Sequence, residues 1–194
     1  MYKYLWFTWE DNRLRITVIK YFRMNFLFTK QTTKTEVFDS VKKFLLEKEF
    51  NIIKIDQERP WGGFFVIDEL QSSKFKKDFF EDAVENNGDT KDKLSPKILI
   101  VQGNKRLSWQ YHHRRSEIWK VIEGEVGVKK SENDDEGTIE IKKINDLISL
   151  HQGERHRLIG LDSWGIIAEI WQHTDPEHPS DEEDIIRVQD DFGR

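Results

Sequence analysis

The stretch that decides the fold is Gln110-Tyr111-His112-His113-Arg114-Arg115-Ser116-Glu117. It places an amide oxygen, an imidazole and a carboxylate within eight residues. Gln110 and His112 are two residues apart, so on a strand they face the same side of the sheet. Glu117 lies an odd number of residues beyond His112, so the chain has to turn between them for the carboxylate to return to that side.

A second imidazole follows in Gly153-Glu154-Arg155-His156. Gln, His, Glu and His form a mixed nitrogen and oxygen set that suits a first-row divalent ion. We expect a turn through 113–116, a strand that starts at Glu117 and ends with a turn at Gly124, and a third strand that carries His156. With three or four such ligands, the ion keeps a position open for a substrate.

These residues resemble the two motifs of the cupin superfamily, which carry two histidines, a glutamate and a glycine, and then a glycine and a histidine. Gln110 stands where cupins usually have the first histidine, as in the Gln-x-His of phosphomannose isomerases. The wider pattern resembles the type II mannose-6-phosphate isomerase domain over about residues 58 to 194. Five blocks carry that resemblance in order: 59–62, 107–112, 115–119, 153–158, and a tail of 183–187 through 191–194.

The resemblance implies a fold dominated by β-structure, the double-stranded β-helix or jelly-roll barrel of cupins, with one or two peripheral N-terminal helices. We divide the chain into an N-terminal extension, 1–57, and a cupin domain, 58–194. The capping box at 33–36 and the apolar spacing behind it predict a helix over 34–49, and a stripe of phenylalanines predicts a second over 75–86. That second helix is read as a patch on the core, with a lid over a pocket as the alternative. Alternating patterns and turn residues predict strands at 51–56, 64–67, 97–102, 106–112, 116–122, 125–131, 138–144, 147–150, 155–160 and 164–173.

The first 23 residues are open to two interpretations. They lack the basic start and cleavage site of a signal peptide. Met24 opens a more ordinary polar sequence, which favours Met24 as the natural start and residues 1–23 as an over-extended gene prediction. The alternative is a real pair of strands, around 4–9 and 14–21, exchanged in a dimer.

The metal set that we predict is Gln110, His112, Glu117 and His156. Zinc is the first choice, with manganese, iron or cobalt as alternatives. Gln110 is the weakest ligand of the four, since amides bind metals poorly, and its other role is to hydrogen-bond the site. An isolated buried histidine is usually structural, but two histidines at their motif positions favour ligation.

The resemblance also implies a phosphosugar substrate, and a planar guanidinium suits phosphate. Glu169 corresponds to an acidic position of the family, so it is the candidate base, and Arg157 is placed with it in the catalytic set although strand alternation turns it away from the ion. For each charged residue the alternative is a salt bridge, and for Trp119 it is core packing. The predicted substrate-binding residues are Lys105, Arg106, Arg115, Arg187 and Trp119.

The function that the resemblance implies is metal-dependent aldose–ketose isomerisation, with mannose 6-phosphate and fructose 6-phosphate as the expected pair. The alternatives are an isomerase of another sugar phosphate such as a heptose phosphate, a metal-free sugar-nucleotide epimerase and a non-catalytic sugar-binding cupin. A net charge of -5 gives no reason to expect nucleic acid, and no apolar run is long enough for a membrane span. The absence of cysteine fits the cytoplasm, and the apolar face of the N-terminal helix favours a homodimer.

Overall fold

The computed structural model describes residues 4–10, 13–19, 26–80 and 93–193. Two α-helices occur in these ranges, α1 (Lys34–Glu47) and α2 (Ser72–Phe80), together with short 3₁₀ turns at Glu69–Gln71 and Glu182–Asp184. The strands are β1 (Tyr4–Glu10), β2 (Arg13–Ile19), β3 (Ile52–Asp56), β4 (Gly62–Ile67), β5 (Leu94–Val101), β6 (Trp109–Tyr111), β7 (Arg115–Glu123), β8 (Val126–Ser131), β9 (Glu140–Lys142), β10 (Leu147–Leu150), β11 (Arg155–Gly160), β12 (Gly165–His173) and β13 (Ile186–Gln189).

Eleven of these strands form two antiparallel sheets. One has six strands in the order β10-β7-β12-β5-β4-β3, and the other has five in the order β13-β6-β11-β8-β9. The predicted all-β jelly roll with peripheral helices is confirmed. The strand boundaries match the predicted ones within a few residues, because most strands are short alternating segments that end at turn residues.

Strict alternation divides the six-stranded sheet into two apolar faces. Leu99 and Ile167 point to the inner face, where they pack with Trp119, Val121 and residues of the second sheet. Their neighbours Ile98 and Ile166 point to the outer face, where α1 and α2 cover them. The inner face therefore lies between the sheets, and the outer face is sealed by the helices.

Helix α1 begins at the predicted capping box. The Thr33 backbone N–H donates to a carboxylate oxygen of Glu36 at 2.7 Å, and the Glu36 N–H donates back to the Thr33 hydroxyl at 3.3 Å. Val37 and Val41 are buried in the same cluster as the outer face of the sheet. Strand β3 is hydrogen-bonded to β4. Residues 26–57 thus share one core with the strands of the predicted cupin domain.

The described part of the second predicted helix packs inward. In α2, Phe75, Phe79 and Phe80 are buried against the outer face of the sheet. This is the predicted core patch, and it lies on the side of the sheet away from the inner face. Residues 81–92 lie outside the described residues, so the rest of the predicted lid segment is not placed.

Two glycines stand where the neighbouring backbone leaves no room for a side chain, Gly62 at the start of β4 and Gly124 at the predicted turn after β7. Gly62 has a φ of +142°, and a Cβ there would lie 1.9 Å from the carbonyl oxygen of Ile100. Gly124 has a φ of +73°, and a Cβ there would lie 2.3 Å from the carbonyl oxygen of Trp164. Close backbone contacts of this kind exclude any side chain.

At the N-terminus, β1 and β2 pair as an antiparallel hairpin from Tyr4↔Ile19 to Glu10↔Arg13. The pair of strands in the alternative interpretation is therefore present, and whether residues 1–23 belong to the native protein stays a prediction. No helix among the described residues is long and apolar enough to cross a membrane.

Candidate metal centre and cavity

Three side chains converge between the two sheets. His112 follows β6, Glu117 lies in β7 and His156 lies in β11, and one ligand atom of each falls within 4.8 Å of the others. Nε2 of His112 lies 3.3 Å from Nε2 of His156 and 3.2 Å from Oε1 of Glu117. Nε2 of His156 lies 3.6 Å from Oε2 of Glu117. The predicted turn between His112 and Glu117 is what brings the carboxylate back.

Backbone carbonyls orient both imidazoles. Nδ1 of His112 lies 3.2 Å from the carbonyl oxygen of Asp184, and Nδ1 of His156 lies 2.9 Å from that of Glu154. A carbonyl only accepts, so Nδ1 carries a proton in each ring, and Nε2 is the atom that a neutral ring offers to a metal. Two Nε2 atoms and a carboxylate thus face one point, an arrangement that fits a divalent cation and is held as metal-binding histidines usually are.

The charges of the cluster support the same reading. Burial opposes ionisation of Glu117, but His112 and Arg115 outweigh it and hold the pKa of the carboxyl well below its usual range. Burial lowers the pKa of His156 to about 4, with Glu117 partly opposing the shift. At neutral pH the cluster therefore presents an anionic carboxylate and a neutral imidazole, which are the protonation states that bind metals.

Arg115 belongs to this cluster as well. Its Nε donates to Oε1 of Glu117 at 2.7 Å, and its Nη2 lies 3.1 Å from Nε2 of His112. Nη1 donates to the hydroxyl of Ser180 at 2.7 Å. The guanidinium is buried, so the predicted substrate-binding arginine lies directly against two of the predicted ligands.

Gln110, the fourth predicted ligand, faces the same side as His156. The two residues are directly paired between β6 and β11. Oε1 of Gln110 accepts a hydrogen bond of 2.6 Å from the hydroxyl of Ser108. Gln110 lines the same cavity as Glu117, so both of its predicted roles, ligation and hydrogen bonding at the site, are compatible with its position.

Glu117 and Arg115 of the cluster line a cavity of about 60 Å³ between the sheets. Trp119 and Glu169 line it from adjacent strands, and Nε1 of Trp119 lies 3.0 Å from Oε2 of Glu117 and 2.9 Å from Oε1 of Glu169. Burial, together with repulsion from Glu117, raises the pKa of Glu169 to about 8. The predicted base is therefore a carboxyl that holds its proton near neutral pH.

The remaining predicted residues divide into two groups. Arg187 lines the cavity. Lys105 is exposed in a turn, and Arg106 pairs with Asp191 through bonds of 2.7 and 2.8 Å. Arg157 follows His156 on the opposite side of the strand, where it bonds Glu136 and Gln189. The structure does not bring Lys105, Arg106 or Arg157 to the cavity, because alternation and surface pairing direct them elsewhere.

Sequence reasoning missed three residues of the site. Lys97 and Glu182 line the cavity, and Nζ of Lys97 lies 2.9 Å from Oε1 of Glu182. Asp184 supplies the carbonyl that orients His112, and its carboxylate accepts the backbone N–H groups of His113 and Arg114. Lys97 is the single charge at the head of the apolar run 97–101, and that is the signal that could have revealed it.

A family model described as the C-terminal domain of mannose-6-phosphate isomerase matches residues 82–190, which is more than half of the chain. The match confirms the resemblance that the motifs indicated. No curated protein matches.

Several solved structures are similar at low identity. KdgF from Halomonas sp. is 12% identical with a TM-score of 0.46, covering 67% of this chain and 89% of that one. Oxalate decarboxylase from Lactobacillus farciminis is 13% identical with a TM-score of 0.48, covering 69% and 33%. The capsular polysaccharide assembling protein CapF from Staphylococcus aureus is 14% identical with a TM-score of 0.44, covering 72% and 31%. The chain therefore spans about a third of the length of the last two.

Proposed function

Because the chain belongs to the mannose-6-phosphate isomerase C-terminal family, we propose that it is a metal-dependent aldose–ketose isomerase of a phosphosugar. The pair that we propose is mannose 6-phosphate and fructose 6-phosphate. The observation that carries this proposal is the convergence of His112, Glu117 and His156 beside a cavity that also holds the protonated carboxyl of Glu169.

The metal that we propose is zinc, held by His112, Glu117 and His156, with Gln110 as the fourth ligand. Imidazole and carboxylate ligands suit this ion, and three or four protein ligands leave a position for substrate. When bound, such an ion polarises the sugar carbonyl and its neighbouring hydroxyl and stabilises negative charge that develops there. Manganese, iron and cobalt fit the same donor set and are the other ions to test.

Isomerisation of an aldose to a ketose moves a proton from C2 to C1 and a second proton from O2 to O1. We propose that the ionised form of Glu169 takes the C2 proton and returns it to C1. With a pKa of about 8, about a tenth of the carboxyls are ionised at pH 7, and this fraction supplies the base, which becomes the acid once it holds the proton. The hydrogen bond from Nε1 of Trp119 fixes the carboxyl while the proton moves.

The mouth of the cavity is where we propose that side chains move when the sugar binds. Glu182 is the one to move, because its side chain is 47% exposed and comes from the 3₁₀ turn Glu182–Asp184 rather than from a sheet.

The test is a coupled assay of mannose 6-phosphate to fructose 6-phosphate on protein stripped with a chelator and reloaded with zinc, manganese, cobalt or iron. We expect activity to return with metal and to be lost in His112→Ala. The matched control is His113→Ala, because that exposed neighbour points away from the cluster. Tight metal binding without turnover would indicate that the substrate is another sugar phosphate. Absence of metal binding would refute the proposal.

Arg115 favours a second candidate function, one without a metal. Its guanidinium lies 3.1 Å from Nε2 of His112 and 2.7 Å from Oε1 of Glu117, so a positive charge from the protein already faces two of the proposed ligands. A metal-free sugar-nucleotide epimerase or a sugar-binding protein would use the cluster in this form. Turnover or sugar binding that persists after chelation, and that Arg115→Met abolishes, would support this candidate.

We also propose that the protein is a homodimer. Strand β3 is the edge of the six-stranded sheet, and its Ile53 and Ile55 are 61% and 39% exposed. An exposed apolar edge strand pairs readily with another copy. Light scattering should give twice the chain mass, and Ile53→Lys should shift the protein to monomer. Monomeric wild-type protein at micromolar concentration would exclude the dimer.

A further inference from the structure

Lys97 is buried on the inner face of the six-stranded sheet, beside the proposed catalytic carboxyl. It is directly paired with Glu169 between β5 and β12, and it lines the cavity. Its side chain is only 7% exposed, and its Nζ lies 2.9 Å from Oε1 of Glu182. Nζ also lies 3.3 Å from the ring centroid of Trp171. A buried ammonium with three donors and one carboxylate partner is built to bind a further oxygen.

Trp171 supplies a second donor on the same wall. Its ring lines the cavity, the residue is 6% exposed, and its indole N–H has no acceptor among the described protein atoms. The guanidinium of Arg115 also lies over this ring, with Cζ 3.5 Å from the centroid. A buried N–H without an acceptor costs stability, so a ligand oxygen that reaches it would be favoured.

Cationic donors outnumber carboxyl groups along the described lining. Four cations line the cavity, against three carboxyl groups. Arg59 is also paired with Asp56 at 2.9 Å, so the lining offers an anion several donors rather than a net positive charge. The cations are Arg59, Lys97, Arg115 and Arg187, and the carboxyl groups are Glu117, Glu169 and Glu182.

We infer that Lys97 and the indole N–H of Trp171 form the subsite that binds the phosphate group of the substrate. In the free protein the carboxylate of Glu182 is bound to the ammonium group of Lys97, and phosphate displaces this carboxylate. That the substrate is a phosphosugar rests on the proposed function. The affinity for phosphate depends only on the hydrogen-bond donors of the cavity wall. This assignment replaces Lys105 and Arg106, which lie outside the cavity.

The experiment measures phosphate binding by calorimetry to the full chain, washed with a chelator so that no ion contributes. Inorganic phosphate, mannose 6-phosphate and mannose are the three ligands. Lys97→Met keeps the length of the side chain without its charge, and Trp171→Phe keeps an aromatic ring without the N–H. Glu182→Gln weakens the competitor of phosphate, and Lys105→Met is the matched control for a lysine outside the cavity.

We expect Lys97→Met to weaken binding of both phosphate ligands by about tenfold or more, and Trp171→Phe by a smaller factor. Glu182→Gln should strengthen binding, a gain that loss of folding cannot imitate. Lys105→Met should bind as the wild type does, and mannose should bind equally to all five proteins. Phosphate affinity that is unchanged in Lys97→Met and Glu182→Gln would overturn the inference.

The two proposals fail separately. If zinc-loaded protein does not isomerise mannose 6-phosphate but phosphate binding still depends on Lys97, the subsite stands and the proposed reaction is wrong. If the protein is an active isomerase whose Michaelis constant for mannose 6-phosphate is unchanged in Lys97→Met, the reaction stands and the subsite is wrong.

Discussion

Replacing Glu169 with glutamine should abolish a specific pH dependence of folding stability. The carboxyl has a pKa of about 8 in the folded protein, against 4.5 for an ordinary glutamate. Between these two values the unfolded chain releases the proton while the folded protein keeps it. The contribution of Glu169 to the free energy of unfolding therefore falls as the pH rises from about 4.5 to about 8, and Glu169 contributes no slope outside that window.

The size of the effect follows from the same two pKa values. Each pH unit within the window costs about 1.4 kcal/mol, so the penalty reaches about 3 kcal/mol at pH 7. Glutamine is neutral at every pH, and its amide oxygen can accept the hydrogen bond from Trp119 that Glu169 accepts now. Glu169→Gln should therefore gain stability over the wild type with rising pH, by about 10 °C in Tm at pH 7 relative to pH 4.5.

The assay is urea unfolding of chelator-treated protein from about pH 4.5 to about pH 9, with the difference in free energy of unfolding between the two proteins as the readout. Taking the difference removes the contributions of Glu117, His156 and other groups that both proteins share. Glu125→Gln is the matched control, since its carboxyl is 55% exposed and, within the described part of the chain, forms an ion pair with Lys143 alone, at 3.7 Å. If the difference in free energy of unfolding between Glu169→Gln and the wild type stays constant with pH, the conclusion that the Glu169 carboxyl is buried and protonated is refuted.

Three further predictions concern single residues. Arg157→Lys should lower stability by about 2 kcal/mol through its bonds to Glu136 and Gln189 while leaving kcat and KM unchanged, and a fall in kcat at unchanged stability would return Arg157 to the catalytic set. Gly62→Ala should destabilise the protein by about 3 kcal/mol or more, whereas Gly153→Ala should cost about 1 kcal/mol, because nothing lies within 4 Å of a Cβ at Gly153. Equal losses of stability for the two variants in urea unfolding would contradict the steric argument. Gln110→His should tighten zinc binding in competition with a chromophoric chelator, and unchanged affinity would place Gln110 outside the ligand set.

Strand periodicity explains why the cluster was predictable. The even spacing of Gln110 and His112, and the odd spacing to Glu117, required a turn, and the structure forms it before Arg115. Side-chain alternation along β11 also points Arg157 away from His156. Its position next to the motif histidine in the sequence was therefore a poor reason to place Arg157 in the catalytic set. Local pattern is sufficient where a side chain's direction depends on its own strand.

Pairing between distant segments was not predictable from local pattern. Lys105 and Arg106 lie beside a family block, yet whether such residues reach the cavity depends on tertiary partners such as Asp191. Lys97 is turned inward by alternation, but only the fold shows that Glu182 and Trp171 meet it there. The tail has no periodicity before β13, so its contacts carried no signal in the sequence.

The carbonyl of Asp184 that orients His112 has a consequence for biosynthesis. The two residues are 72 positions apart, and the segment between them includes His156. A ribosome thus makes the first imidazole long before its orienting group exists. The nascent chain can assemble much of the sandwich while this ring is still free to rotate, so we expect high-affinity metal capture to be a post-translational event that follows docking of the tail.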